Sequence, residues 1–187
     1  MGTITSIKDF VKKQRLYSLK DVALFIIITL TIHYLWKWWQ WSFEYAPITQ
    51  FMYDLMVAMS TEVYRESSWI ISGFIEIETV EISLNMIFPK GSMMWVNSGC
   101  SGLKQMMQFA LLMVVFPGPW KKKLWFIPLG IVVMHITNIF RIVGMAVVVN
   151  NWPQYGDFSH DYIFRPLFYL IIFLLWVWWV EKLRRER

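Results

Sequence analysis

Cys100 is the only cysteine of the sequence, and it stands in the run Asn97-Ser98-Gly99-Cys100-Ser101-Gly102 just ahead of an apolar stretch. This pattern predicts a helix opening directly after the thiol, capped by Asn97 or Ser98, with Gly99 and Gly102 leaving the local backbone open and adaptable. A thiol at a helix N-terminus feels the positive end of the helix dipole, which favours the nucleophilic thiolate. Lys104 follows one turn along the same face and Gln108 a turn beyond it. Taken alone, a single free cysteine is more simply a small buried hydrophobe. It does exclude an internal disulfide and any metal site built from several thiolates. His33, His135 and His160 show neither an H-x-x-x-H nor an H-E-x-x-H spacing, which argues against a zinc protease.

Arg141 changes the weighing. It lies inside the apolar run from Ile139 to Val149, where an ionisable group is costly and is a functional candidate by default. Its fork of donors suits an oxyanion or a carboxylate. Asn138 and His135 precede it by successive turns. Each fits hydrogen bonding between packed helices as well as support of a site. His160 comes in the segment Asn150 to Asp161, just before the last apolar stretch. A loop histidine is ordinarily plain surface. Here a thiol, a fixed cation and an imidazole come from three different apolar segments and fall at one level. That is the set covalent acyl chemistry needs. His33 has no such company and reads as packing in the first apolar segment.

The elements that must position these groups read as membrane spans. Apolar residues are 57% of the chain and charged ones 17%, against roughly 25% in soluble domains. The basic residues come in blocks beside apolar runs, without a basic stripe interleaved with exposed aromatics, so nucleic acid is set aside. The expected fold class is all-α, a single integral membrane domain of residues 1–187 with about four transmembrane helices. The spans are 22–39, 101–116, 124–150 and 162–180, each able to cross or nearly cross a hydrocarbon core of about 30 Å. Residues 1–40 have the basic start of a signal peptide. Trp-Lys-Trp-Trp-Gln-Trp follows in place of a small-residue cleavage site, so an uncleaved anchor is expected.

Lysine and arginine set the orientation. Lys8, Lys12, Lys13, Arg15 and Lys20 precede the first span, Lys121 to Lys123 separate the second and third, and Lys182, Arg184, Arg185 and Arg187 close the chain. All three blocks fall on one side of a four-span map, which is then cytoplasmic, with both termini. Glu44, Glu62, Glu66, Glu76, Glu78, Glu81, Asp157 and Asp161 fall on the other side. Trp36, Trp38, Trp39 and Trp41 would mark the outer interface, and Trp176, Trp178 and Trp179 the inner one. The outer segment 40–100 is expected to hold an amphipathic helix from Pro47 to Glu66 lying on the membrane. A β-hairpin should follow, with alternation from Val80 to Met86, a turn at Pro89-Lys90-Gly91-Ser92 and a short strand around Met94 to Val96.

Cys100-Ser101-Gly102-Leu103 at the top of one span, Asn138-Ile139-Phe140-Arg141-Ile142 late in the next and His160-Asp161 before the following one resemble the exosortase/archaeosortase family over about Val80 to the C-terminus. The resemblance implies a multi-spanning cysteine transpeptidase with Cys100, Arg141 and His160 as its catalytic trio. Ser101, Gly102, Lys104, Asn138 and Asp161 would support or position them. The partners it implies are membrane lipids and exported proteins carrying a C-terminal sorting signal: a short motif, one spanning helix and a basic tail. It implies a thioester intermediate and neither metal nor organic cofactor. The site would sit on the outer face of the cytoplasmic membrane. A rival of another class is a non-enzymatic scaffold or transporter subunit using Arg141, Lys104 and His135 as buried polar links or an ion path. A lipid-phosphate enzyme, with Arg and His on phosphate, would have no use for Cys100.

Overall fold

The computed structural model describes residues 2–42, 47–74, 80–82, 84–89 and 91–183, by backbone alone for 2–18, 40, 47 and 80–82. Glu44, Glu76, Glu78, Ser83, Lys90, Arg184, Arg185 and Arg187 lie outside the described residues. The chain is mostly helical: α1 (Gly2–Ser42), α2 (Pro47–Phe74), α3 (Leu103–Val115), α4 (Trp120–Asn151), a one-turn α5 (Gly156–Phe158) and α6 (Arg165–Trp178). Three short strands, β1 (Val80–Ile82), β2 (Asn85–Ile87) and β3 (Met93–Trp95), lie between α2 and α3.

Three helical stretches are long and apolar enough to cross a membrane: Leu19–Trp39, Trp120–Asn151 and Pro153–Leu183. They contain or closely match the expected first, third and fourth spans. The expected second span, the shortest of the four, falls on a shorter apolar helix. It is α3, whose 13 residues extend about 20 Å at 1.5 Å each, short of the roughly 30 Å a hydrocarbon core requires. Its C-terminus is closed by Lys123, which reaches back from α4 to donate to the Val114 carbonyl at 2.9 Å and the Phe116 carbonyl at 2.7 Å. Those carbonyls have no partner within their own helix. Lys122 donates to the Leu183 carbonyl at 2.8 Å. The lysine block thus closes a helix and ties two segments together as well as giving a charge signal. Lys123 is buried and lies over the Trp120 ring.

Packing divides into two apolar clusters. One, at the lysine end, joins α3, α4 and α6 through Phe109, Phe116, Phe126, Trp176 and Trp179. Trp176 and Trp179 therefore face inward, and only Trp178 of the expected inner belt is exposed. Their spacing of three residues puts both on the packed side of the helix. Gly130 of α4 lets α3 approach: a Cβ there would come 2.0 Å from the Phe109 ring. Such close contact drives helix association where lipid removes the hydrophobic incentive. The second cluster joins α2, the strands and the far end of α4 through Val63, Ile71, Met86, Phe88, Val96 and Val149.

The strands form an antiparallel sheet in the order β1-β2-β3, not a two-stranded hairpin. The alternation from Val80 to Met86 is broken into two strands because Ile82 pairs with Asn85, and Leu84 between them takes a φ of 63°. β2 then pairs with β3 on either side of the expected Pro89–Ser92 turn, where Gly91 has a φ of 81°. Ser92 Oγ donates to the Val149 carbonyl at 3.1 Å, fastening the sheet to the end of α4. α2 runs on to Phe74, past the expected Glu66, and packs on α4. Glu66 Oε2 meets His135 Nε2 at 2.8 Å.

Candidate active site

The thiol is presented by a strand-to-helix junction. Val96 ends the β3 segment by donating to the Leu84 carbonyl at 3.2 Å, and Ser98–Cys100 then makes a 3-10 turn. Asn97 caps that turn: its side-chain oxygen accepts from the Gly99 N–H at 2.9 Å. Asn97 or Ser98 was expected to cap the long helix, with Cys100 at its mouth. Instead α3 starts at Leu103, so its dipole is set back from the thiol. Gly102 occupies the position before α3 with a φ of 73°, which L side chains rarely adopt. Ser101 is buried, and its Oγ accepts from the Leu103 N–H at 3.3 Å.

Asn138 locks this junction to α4. Its Nδ2 donates to the Cys100 carbonyl at 2.7 Å, and its Oδ1 accepts from Arg141 Nη1 at 3.4 Å. It is fully buried and packs against Gly102, where a Cβ would lie 3.0 Å from Asn138 Nδ2. Asn138 was open between packing and site support. Asn138 contacts both Cys100 and Arg141, while His135 turns the other way, to Glu66 of α2.

Arg141 is 6% exposed, with its guanidinium 6.0 Å from the Phe168 ring. One nitrogen, Nη2, stands 3.9 Å from Cys100 Sγ and 2.9 Å from His160 Nε2. On its other side, His160 Nδ1 meets Asp161 Oδ1 at 2.8 Å, and Asp161 in turn pairs with Arg165 at 3.0 Å. A guanidinium only donates and an ionised carboxylate only accepts, so the network assigns the hydrogen to Nδ1 and the lone pair to Nε2 of a neutral imidazole. The resulting sequence of contacts is Cys100, Arg141, His160, Asp161, Arg165.

His160 was expected on a loop. It lies in a π-helical turn, Ser159–Phe164, that runs directly into α6. The Arg165 N–H bonds to the His160 carbonyl five residues back, and Pro166, which has no N–H, follows. Widened turns of this kind recur at functional sites.

Cys100, Arg141 and His160 line one cavity of about 950 Å³. Lys104 lines it as well, as its place on the Cys100 face predicts. So does His33, contrary to its reading as isolated packing; it sits 3.5 Å from the Tyr169 hydroxyl. Lys37, one turn along α1 from His33, and Arg165, one turn along from Asp161, complete the basic wall and were missed. The signal for both was a four-residue spacing from another polar group on an otherwise apolar helix.

A helical membrane protein that gathers a thiol, an arginine and an imidazole around one cavity defines the class. Residues 14–182 match the family model of the transmembrane exosortases, and the chain belongs to that family. It is a multi-pass membrane protein. The match reaches well upstream of Val80, so residues 14–79 belong to the family pattern too. No curated protein and no solved structure matches the chain.

Proposed function

We propose that this chain is a membrane cysteine transpeptidase that cleaves C-terminal sorting signals of exported proteins through a thioester at Cys100 and passes the acyl group to an acceptor. The observation that carries the reading is the convergence of Cys100, Arg141 and His160, from three separate elements, on one cavity. Membership of the exosortase family supports it.

In this mechanism the substrate's scissile carbonyl enters beside Cys100. Its oxygen draws Arg141 away from His160, which frees the Nε2 lone pair to take the thiol proton. The sulfur attacks the carbonyl carbon, and Arg141 holds the oxyanion that forms. As the tetrahedral adduct collapses, the C–N bond breaks and His160 returns the proton to the leaving amine. An acceptor nucleophile then repeats the sequence in reverse, losing its proton to His160 and releasing the Cys100 thiolate, which takes that proton back from His160 to restore the thiol. Asp161 holds the imidazole in the tautomer that both steps use. Asn138 holds the Cys100 carbonyl and Arg141 in register.

The topology that serves this chemistry has four membrane segments, α3 being the short one, with both termini cytoplasmic and the cavity on the outer face of the cytoplasmic membrane. The end bearing Lys121, Lys122, Lys123 and Lys182 lies opposite the cavity, as the positive-inside rule asks.

The test is an acyl-enzyme trap. The full chain in membranes is supplied with candidate sorting-signal substrates, and Cys100 is read by mass spectrometry. An acyl adduct on Cys100, absent from Cys100→Ala, is the expected result. Undiminished processing by Cys100→Ala would refute the reading.

A further inference from the structure

The cavity holds more positive charge than the acyl chemistry employs. Arg141 is engaged with His160 and Asn138, and Arg165 with Asp161. Lys37 and Lys104 are not so placed. They come from different helices, line the same cavity, and neither is in an ion pair among the described residues. His33, Lys37, Lys104 and Arg165 all line this one cavity. Asp157 is the one acidic side chain among the described residues that line the cavity. Like charges gathered on a half-enclosed wall repel one another and attract an anion.

We infer that Lys37 and Lys104 form an anion subsite, separate from Cys100, Arg141 and His160, that binds a phosphate group carried by a membrane lipid or free in solution. The choice of phosphate over carboxylate follows from the donors. A planar carboxylate is matched by an arginine fork, and both arginines of the cavity are occupied. Two ammonium groups from separate helices are point charges, which suit a tetrahedral group with oxygens in several directions. Location favours the lipid as source. Trp38, Trp41, Trp95, Trp152, Tyr155 and Tyr162 are exposed at or near the Cys100 end of the bundle. Tryptophan and tyrosine exposed in this way on a membrane protein sit at the headgroup level, where phosphates lie. Lys37, next to Trp38 on α1, is exposed, and Lys104 is half-buried. The inference goes beyond the transpeptidase reading and needs no reaction at Cys100.

The test uses the purified full chain carrying Cys100→Ala, in a neutral detergent, so that it stands or falls apart from catalysis. Retention of a short-chain phosphatidylglycerol is measured by native mass spectrometry, beside a fatty acid of equal chain length and inorganic phosphate as competitor. The phospholipid should be retained, and Lys37→Gln with Lys104→Gln should weaken it about tenfold. Lys37→Arg with Lys104→Arg, which keeps the charge, should retain it and so controls for folding. Competition by millimolar inorganic phosphate would assign the free anion as a ligand too, and its failure would assign the lipid alone. Equal retention by the Cys100→Ala chain with and without the two glutamines, or equal binding of the fatty acid, overturns the inference.

Discussion

Arg141 Nη2 donates to His160 Nε2 at 2.9 Å, and the same nitrogen lies 3.9 Å from Cys100 Sγ. The arginine thus stands between the thiol and the imidazole, and no Cys100–His160 hydrogen bond occurs among the described residues. Lysine cannot replace it. One ammonium on a flexible stem cannot hold Asn138, His160 and a carbonyl oxygen in fixed directions, whereas the guanidinium fork can. Arg141→Lys should therefore lower substrate processing about 10²-fold or more, the usual loss on removing an oxyanion donor. Processing is measured in cells and normalised to the amount of variant in the membrane. A near-normal rate would show that charge alone suffices.

Asp161→Asn tests the imidazole tautomer. The asparagine fits the same space but can offer an N–H where the carboxylate accepts, so the Nδ1 hydrogen loses its fixed partner. Arg165 loses its ion pair at the same time. His160→Ala should cost roughly 10²- to 10⁴-fold in processing, and Asp161→Asn a smaller part of that. Arg165→Gln separates the two effects: if it matches Asp161→Asn, the ion pair matters and the tautomer does not.

Topology is open to reporter fusions. A reporter after Gly118, in the turn between α3 and α4, should be active only if it is a cytoplasmic reporter. One after Asn151, at the other end of α4, should behave oppositely. An external signal at Gly118 would invert the map and put the cavity on the wrong side for exported substrates.

Lys123 gives a stability contrast within one charge block. Lys123→Met removes the donor from the Val114 and Phe116 carbonyls and leaves the buried Phe116 acceptor unmet, at a cost of about 1–3 kcal/mol. Lys121→Met, at an exposed position, removes the same formal charge with little loss. Thermal unfolding in detergent should separate them; equal midpoints would reduce Lys123 to an orientation signal.

The trio was legible because its members are rare in their surroundings: a sole cysteine, an arginine inside an apolar run, and a histidine at the next span's start. Long apolar periodicity likewise revealed the membrane class. What escaped depends on distances between segments far apart in sequence. That His33 and Lys37 of α1 face the thiol follows from how α1 packs on α3, with Gln108 Nε2 reaching the Thr29 carbonyl at 3.4 Å, which no local pattern encodes. The split of the β1–β2 alternation turned on one residue, Leu84, taking a positive φ that its side chain does not advertise. The length of α3 was overestimated because apolar character continues through Phe116, while the helix itself stops where Lys123 supplies its cap.

Asn138 is the most exacting position of the site. Its amide donates to the Cys100 carbonyl and accepts from Arg141, so both ends of the group are used in defined directions. Asn138→Asp keeps the size and can still accept from Arg141, but it places a carboxylate oxygen 2.7 Å from the Cys100 carbonyl, where two acceptors repel. Asn138→Ala leaves that part-buried carbonyl without its partner, at about 1 kcal/mol, and releases Arg141. Gly102→Ala attacks the same contact from the other side. It places a methyl against Asn138 and forces a positive φ on an L residue, at a cost of roughly 1–2 kcal/mol. All three should insert, because the apolar clusters are untouched. All three should also lose processing by more than tenfold, with Asn138→Asp losing activity out of proportion to its stability. The measurements are thermal unfolding and normalised substrate processing on the same preparations. If Asn138→Asp processes substrate normally, the link between the Cys100 carbonyl and Arg141 is packing and the thiol is positioned by the 3-10 turn alone.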